Sequence, residues 1–161
     1  MAQSKGKRLT ICLTCSHGGH LNEMVQLVEA FAGHDTFYYC YDAPTTRALP
    51  GANVLVPNMA RNPLEFLRNL WRAWRTFRER RPDLIVSTGA EIAIPLFLVG
   101  KVMGCRLLYV ECGAQVVTPS GTGRIVSHFA DRFLVQWPEL LPAYHGRAHY
   151  AGSLIDQRPA S

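Results

Sequence analysis

Hydrophobic residues along this chain fall into short runs separated by longer amphipathic stretches. Leu9–Thr14, Thr36–Tyr41, Asn53–Val56, Leu84–Ser87, Arg106–Tyr109, Arg132–Val135 and Ala148–Tyr150 have the length and make-up of strands. Helices are predicted at Leu21–Ala32, Pro63–Arg80, Glu91–Met103 and Gly123–Ala130, with a short turn at Pro138–Tyr144. Strand and helix alternate, which is the pattern of a parallel sheet joined by crossover helices. The expected architecture is therefore α/β, a Rossmann-like open parallel sheet with helices on both faces. One domain, residues 9–155, is expected between a flexible N-terminus (1–8) and a C-terminal tail (156–161).

In open sheets of this kind ligands bind beyond the carboxyl ends of the strands, so the turns after strands carry the chemistry. Three of them are polar and bear glycine: Ser16-His17-Gly18-Gly19-His20, Thr88-Gly89-Ala90-Glu91 and Glu111-Cys112-Gly113-Ala114-Gln115. Together they predict one crevice lined by His17, His20, Thr88, Glu91, Glu111 and Gln115. The first turn opens a helix, where N–H groups and the helix dipole favour an anion. Glu111 closes a strand without a basic neighbour in sequence, a setting in which carboxylates serve as bases or bind hydroxyls. Glu91 has a second reading as a first-turn helix residue. Glu23, three residues after His20, reads as a helix cap.

The Asn62–Arg81 stretch is distinctive. At 100° per residue, Leu64, Phe66, Leu67, Leu70, Trp71, Trp74 and Phe77 share an arc of about half the helix, flanked by Arg68, Arg72 and Arg75. Asn69, Thr76 and Arg80 face elsewhere. Aromatic and aliphatic residues edged by arginine suit a helix lying on an anionic membrane, with Leu67, Arg68, Trp71, Arg72, Trp74 and Arg75 facing the lipid. The same pattern also suits a core-packing helix with a basic outer side.

Composition narrows the classes. The 161 residues are 48% hydrophobic and 18% charged, with a net charge of +5 from clustered arginines, which points to an anionic surface or substrate. Five cysteines lie mostly in apolar runs, consistent with free thiols in a reducing cytoplasm. Cys12-x-x-Cys15 falls inside a strand and has no second pair at metal-ligand spacing. No dinucleotide or Walker fingerprint and no D-x-D motif occurs, so neither metal nor cofactor is expected. Outside the Trp71–Phe77 helix few aromatics offer a stacking platform, which argues against nucleic acid. No apolar run approaches the ~20 residues of a membrane span.

The elements His17-Gly18-Gly19-His20-Leu21-Asn22-Glu23-Met24, Ser87-Thr88-Gly89-Ala90-Glu91-Ile92-Ala93-Ile94-Pro95, Glu111 and Gln136-Trp137-Pro138-Glu139 resemble a known family. It comprises the oligosaccharide-biosynthesis proteins of the asparagine-linked-glycosylation-fourteen type, including bacterial PssD-like subunits. The likeness extends from Leu9 to Ile155, and the same turns look like those in the N-terminal acceptor domain of MurG-like enzymes. The resemblance implies half of a GT-B glycosyltransferase, completed by a PssE-like donor-binding subunit. It implies inverting transfer from a UDP-sugar to a lipid-pyrophosphate-linked saccharide. His20 would be the base, Glu111 the alternative base or an acceptor-orienting group, and Gly18, Gly19, Thr88 and Gly89 phosphate contacts. Eukaryotic members carry an N-terminal membrane span that is not seen here, so anchoring would fall to the Asn62–Arg81 helix or the partner. The implied location is cytoplasmic, peripheral on the inner face of the cell membrane. Two other readings stay open: a non-catalytic scaffold for an active partner, and an unrelated Rossmann-like nucleotide binder.

Overall fold

The computed structural model describes residues 7–154. Seven strands, β1 (Thr10–Cys15), β2 (Asp35–Tyr41), β3 (Val54–Val56), β4 (Leu84–Ser87), β5 (Arg106–Val110), β6 (Arg132–Val135) and β7 (His149–Tyr150), form one sheet in the order β3-β2-β1-β4-β5-β6-β7. Every neighbouring pair is parallel. The helices are α1 (Gly19–Leu27), α2 (Pro44–Arg47), α3 (Pro63–Arg80), α4 (Ala93–Val102) and α5 (Gly121–Val126), with 3-10 turns at Val28–Phe31 and Pro138–Tyr144.

The strands lie within a residue of their expected limits, while the helix ends moved more. α1 begins at Gly19, because Gly18 at φ 81° is its N-cap. α4 begins at Ala93, which leaves Glu91 in the preceding turn rather than in the helix. Lys7 and Arg8, expected in the flexible N-terminus, pair with Asp83 and Asp35. The expectations for residues 1–6 and 156–161 lie outside the described residues.

Strand alternation sends side chains to two cores. On one face Cys12, Tyr39, Ile85, Leu107, Tyr109 and Phe133 pack with Ala73 and Phe77 of α3 and with Leu96 and Phe97 of α4. On the other, Ile11, Leu13, Cys15, Tyr38, Cys40 and Val86 pack with Leu21 and Met24 of α1. Cys12 and Cys15 therefore project to opposite faces. Cys15 lies 3.7 Å from Cys40 instead, and all five cysteines are free.

The apolar arc of α3 divides in the structure. Phe77 and Ala73 are buried and Phe66 and Leu70 pack against the same core. Leu64, Leu67, Trp71 and Trp74 are left 54%, 60%, 62% and 41% exposed. Asn69 and Thr76, expected to face away from the core, are buried in it. Asn69 is satisfied there: its Nδ2 donates to the Glu65 carbonyl at 3.2 Å, and its Oδ1 accepts from the Tyr39 hydroxyl at 3.4 Å. α3 turns Asn69, Ala73, Thr76 and Phe77 inward and packs chiefly along α4, which leaves its two tryptophans outside.

Phe77 has no exposed surface, and cutting it to alanine leaves a cavity between α3 and the sheet. Phe77→Ala is expected to lower the unfolding free energy by ~3–5 kcal/mol in urea denaturation.

Candidate functional site

β1 and β4 are adjacent in the sheet, and the chain leaves them toward opposite edges, so their carboxyl ends form the switch point where open sheets bind ligands. Two reciprocal bonds close that point. His20 Nδ1 lies 2.9 Å from the Thr88 carbonyl, and Thr88 Oγ1 donates to the His20 carbonyl at 2.7 Å. A carbonyl can only accept, so the bond fixes the proton on Nδ1 and leaves the Nε2 lone pair of the neutral ring available. Gly89, at φ 126°, makes room for this ring, since a Cβ there would lie 2.6 Å from it.

His20 borders a crevice of about 600 Å³ that His17, Glu91 and Gln115 also line, together with Arg61 and Tyr41. Glu91 is held by the Tyr41 hydroxyl at 3.3 Å. Burial, and then the Glu91 carboxylate, push the Tyr41 phenol up, so it remains a donor. Thr88 and Glu111, expected on the crevice wall, have no exposed surface and lie beneath it. The Gly89 N–H, expected to contact phosphate, is already donated to Ser87 Oγ at 3.1 Å. Gly18 and Gly19 remain at the open first turn of α1, where Asn22 N is the donor that bonds the Gly18 carbonyl.

Glu111 is the centre of a buried polar cluster. One carboxylate oxygen accepts from Cys112 N at 3.0 Å, and the other from Ser120 N at 3.3 Å, Ser120 Oγ at 3.0 Å and the Tyr144 hydroxyl. Burial and the bond to Glu111 push the Tyr144 phenol far up and keep its proton in place. A Cβ on Gly123 would fall 2.1 Å from Glu111 Oε2, so this position must lack a side chain. The Glu111 backbone carbonyl accepts from Gln136 Nε2 at 3.1 Å. With its lone pairs filled and no surface, this carboxylate cannot reach a ligand in the crevice. It instead holds the third turn in shape.

Glu23 does not cap α1, whose N-cap receives no side-chain bond. It crosses to the third turn, where Oε1 accepts from Gly113 N at 2.9 Å and from Cys112 Sγ at 3.7 Å. Its Oε2 is buried without a hydrogen-bond partner. One donor atom each from His20, Glu23 and Cys112 lie within 4.8 Å of one another, the one such group among the described residues. Imidazole, carboxylate and thiol would suit a borderline cation such as zinc. Cysteine spacing could not reveal this trio, because the donors sit on two turns far apart in the chain. Sequence reasoning also missed Arg61, Tyr144 and Trp137, whose Nε1 donates to the Gly113 carbonyl at 2.7 Å. Arg61 stands in an irregular turn at φ 58°, where no periodicity marks it.

The predicted membrane-facing arginines are partly occupied. Arg68 and Arg72 pair with Glu65, and Arg75 pairs with Glu79 at 3.0 Å while lying 6.0 Å from the Trp71 ring centroid.

The family model described as "Oligosaccharide biosynthesis protein Alg14 like" matches residues 50–154, which contain the second and third turns. The chain belongs to the Alg14-like family. The UDP-N-acetylglucosamine transferase subunit ALG14 of Homo sapiens is 28% identical over 95 residues, covering 55% of this chain and 44% of that protein. The corresponding subunit of Schizosaccharomyces pombe is 41% identical over 76 residues, covering 44% and 36% respectively. The matches thus span less than half the length of these relatives. Among solved structures, Acinetobacter baumannii MurG superposes with a TM-score of 0.71 at 16% identity, over 89% of this chain and 45% of that one. A UDP-N-acetylglucosamine 2-epimerase from Rickettsia bellii gives 0.75 at 9%, over 92% and 46%. At these identities the likeness is one of fold: this Alg14-like chain is an α/β, Rossmann-like half of the GT-B architecture. The first turn, with His20, precedes the family match and stands on the geometry.

Removing the Glu111 side chain leaves three N–H or O–H groups and a tyrosine hydroxyl without their acceptor. Glu111→Ala is expected to lower stability by ~3 kcal/mol or more in urea, whereas His20→Ala should change it by less than ~1 kcal/mol.

Proposed function

We propose that this chain is the acceptor-side subunit of a two-part inverting glycosyltransferase. A separate, PssE-like donor-binding subunit supplies the UDP-sugar, and the acceptor is a hydroxyl of a lipid-pyrophosphate-linked saccharide. The observation that carries the reading is the His20 ring, locked by the Thr88 carbonyl with Nε2 left free at the switch point of a half-GT-B sheet. An acceptor hydroxyl bonded to Nε2 would lose its proton to the ring as its oxygen attacks the anomeric carbon. The sugar–phosphate bond breaks on the opposite side, and UDP departs within the partner. The ring then carries the proton as imidazolium, balanced by Glu91 across the crevice. Glu91 and Gln115 would orient sugar hydroxyls, and the open N–H groups at Gly18–Gly19 would meet phosphate oxygens. Glu111 would act through the turn that it braces. Names of related proteins as transferase subunits support this assignment.

The exposed side of α3 would hold the complex on the inner membrane surface. Leu64, Leu67, Trp71 and Trp74 offer apolar area and Arg68, Arg72 and Arg75 edge it. No described helix is long and apolar enough to cross a bilayer.

Co-expressed with its partner and assayed on membranes with UDP-sugars, the His20→Ala complex should lose ~10²–10⁴-fold in transfer rate while still co-purifying intact. Unchanged transfer by that complex would assign this chain a scaffolding role.

In flotation assays the full chain should bind vesicles containing phosphatidylglycerol in preference to pure phosphatidylcholine. Trp71→Ser combined with Trp74→Ser should reduce that binding about tenfold or more. Equal binding by the double variant would remove α3 as the anchor.

A further inference from the structure

A second cavity adjoins the crevice, and its character is the opposite. About 430 Å³ in volume, it runs along the N-terminal turns of α3, walled by Met59, Pro63, Phe66, Leu67 and Ile94. Its size is that of a small-molecule site. Arg61 and Glu91 line both cavities, so the two meet at these residues. The polar crevice with His20 lies to one side of Arg61, and the apolar trough to the other. Leu67 forms part of the trough and is also 60% exposed on the outer side of α3, so the trough opens toward the proposed membrane face.

Arg61 is held where a fixed charge would be useful. Its turn is built by Asn58, whose Oδ1 accepts from Ala60 N at 2.8 Å, and both Ala60 and Arg61 have positive φ. Left-handed backbone at two successive non-glycine residues is a strained arrangement of the sort found at ligand sites. Among the described residues Arg61 makes no ion pair, although Arg68, Arg72 and Arg75 of α3 do. It directly precedes the N-terminus of α3, whose Asn62 cap and Pro63 start leave the dipole's positive end beside it. An unpaired guanidinium between a polar and an apolar cavity matches one kind of ligand: an amphiphile with an anionic junction between a polar head and a hydrocarbon chain.

We propose that the trough binds the hydrocarbon chain of the acceptor lipid where it joins the headgroup, with Arg61 gripping the pyrophosphate at the junction. This assignment rests on the acceptor reading given above and adds to it the residues that select a lipid-linked pyrophosphate over a bare one. The saccharide then extends into the crevice toward His20, while the remainder of the chain leaves past Leu67 into the bilayer. Glu91, bonded to Tyr41 on the same border, opposes the phosphate charge and faces the sugar hydroxyls. The trough lets the protein take hold of a substrate whose chain is still in the membrane, because the apolar path from Ile94 to Leu67 is continuous.

The test is calorimetric titration of the full chain with inorganic pyrophosphate, geranyl pyrophosphate and farnesyl pyrophosphate, below the concentrations at which the prenyl compounds aggregate. Affinity should rise about tenfold or more from pyrophosphate to the geranyl compound, and again to farnesyl. Arg61→Ala should weaken all three about tenfold, since each shares the pyrophosphate. Ile94→Trp, which fills the trough, should abolish the gain with chain length while leaving pyrophosphate binding unchanged. Glu91→Gln should strengthen pyrophosphate binding. A flat ladder on the unmodified chain overturns the proposal without depending on any variant's folding. A ladder that survives Ile94→Trp but collapses in the Trp71→Ser, Trp74→Ser chain overturns it too, by placing the tail on the outer face of α3. In either case, a transfer activity that still depends on His20 would leave the glycosyltransferase reading standing.

Discussion

A carboxylate sealed from water must have its lone pairs occupied, and the site depends on how Glu111 meets that demand. Its partners come from the following turn (Cys112), the start of α5 (Ser120) and the end of the 3-10 segment after β6 (Tyr144). Each is drawn to a fixed place, and the third turn acquires one shape. Tyr144 is also the end of a chain of ring contacts running through Phe133 and Tyr109 to Phe97 of α4, with centroids 4.5, 4.9 and 6.1 Å apart. The polar cluster is thus braced by the core on its apolar side. Glu23 completes the arrangement by tying α1 to the same turn, so the first and third turns cannot move independently.

This bracing separates support from contact among the residues at the strand ends. Glu111, Thr88 and Gly89 are buried and hold geometry; His20, Glu91, Gln115 and Arg61 face the cavity. His20 joins the two sets, because its Nδ1 is spent on the Thr88 carbonyl while Nε2 is left for chemistry. As a half-GT-B domain of the Alg14-like family, the chain gathers these residues at the carboxyl ends of one Rossmann-like sheet.

α3 shows how a helix can serve two environments. Ala73 and Asn69 form its inward line, and the bulky residues beside them stay outside. The two tryptophans lie on the side that this packing leaves outside. The same geometry makes the apolar trough at the helix start, where Phe66 and Leu67 diverge toward core and solvent.

The strands, their parallel arrangement and the three glycine-bearing turns were legible from residue pattern alone, but the strand order was not. Strand alternation and turn-forming residues act over a few positions, so their effect is local and leaves a local signature. Which side chains meet across those turns was not legible. Glu23 and Gly113 are 90 positions apart, and Glu111 and Tyr144 are 33 apart. Glu23 read as a cap and Glu111 as a crevice carboxylate because sequence shows a charged residue's neighbours in the chain but not its burial. The inward line of α3 was only partly legible for a related reason. Trp71 and Trp74 were expected on a lipid-facing side and are exposed, but Asn69 and Thr76, expected to face elsewhere, are buried in the core. Local pattern determined what the chain builds, and the tertiary structure decided which polar groups support the site and which are free to act in it.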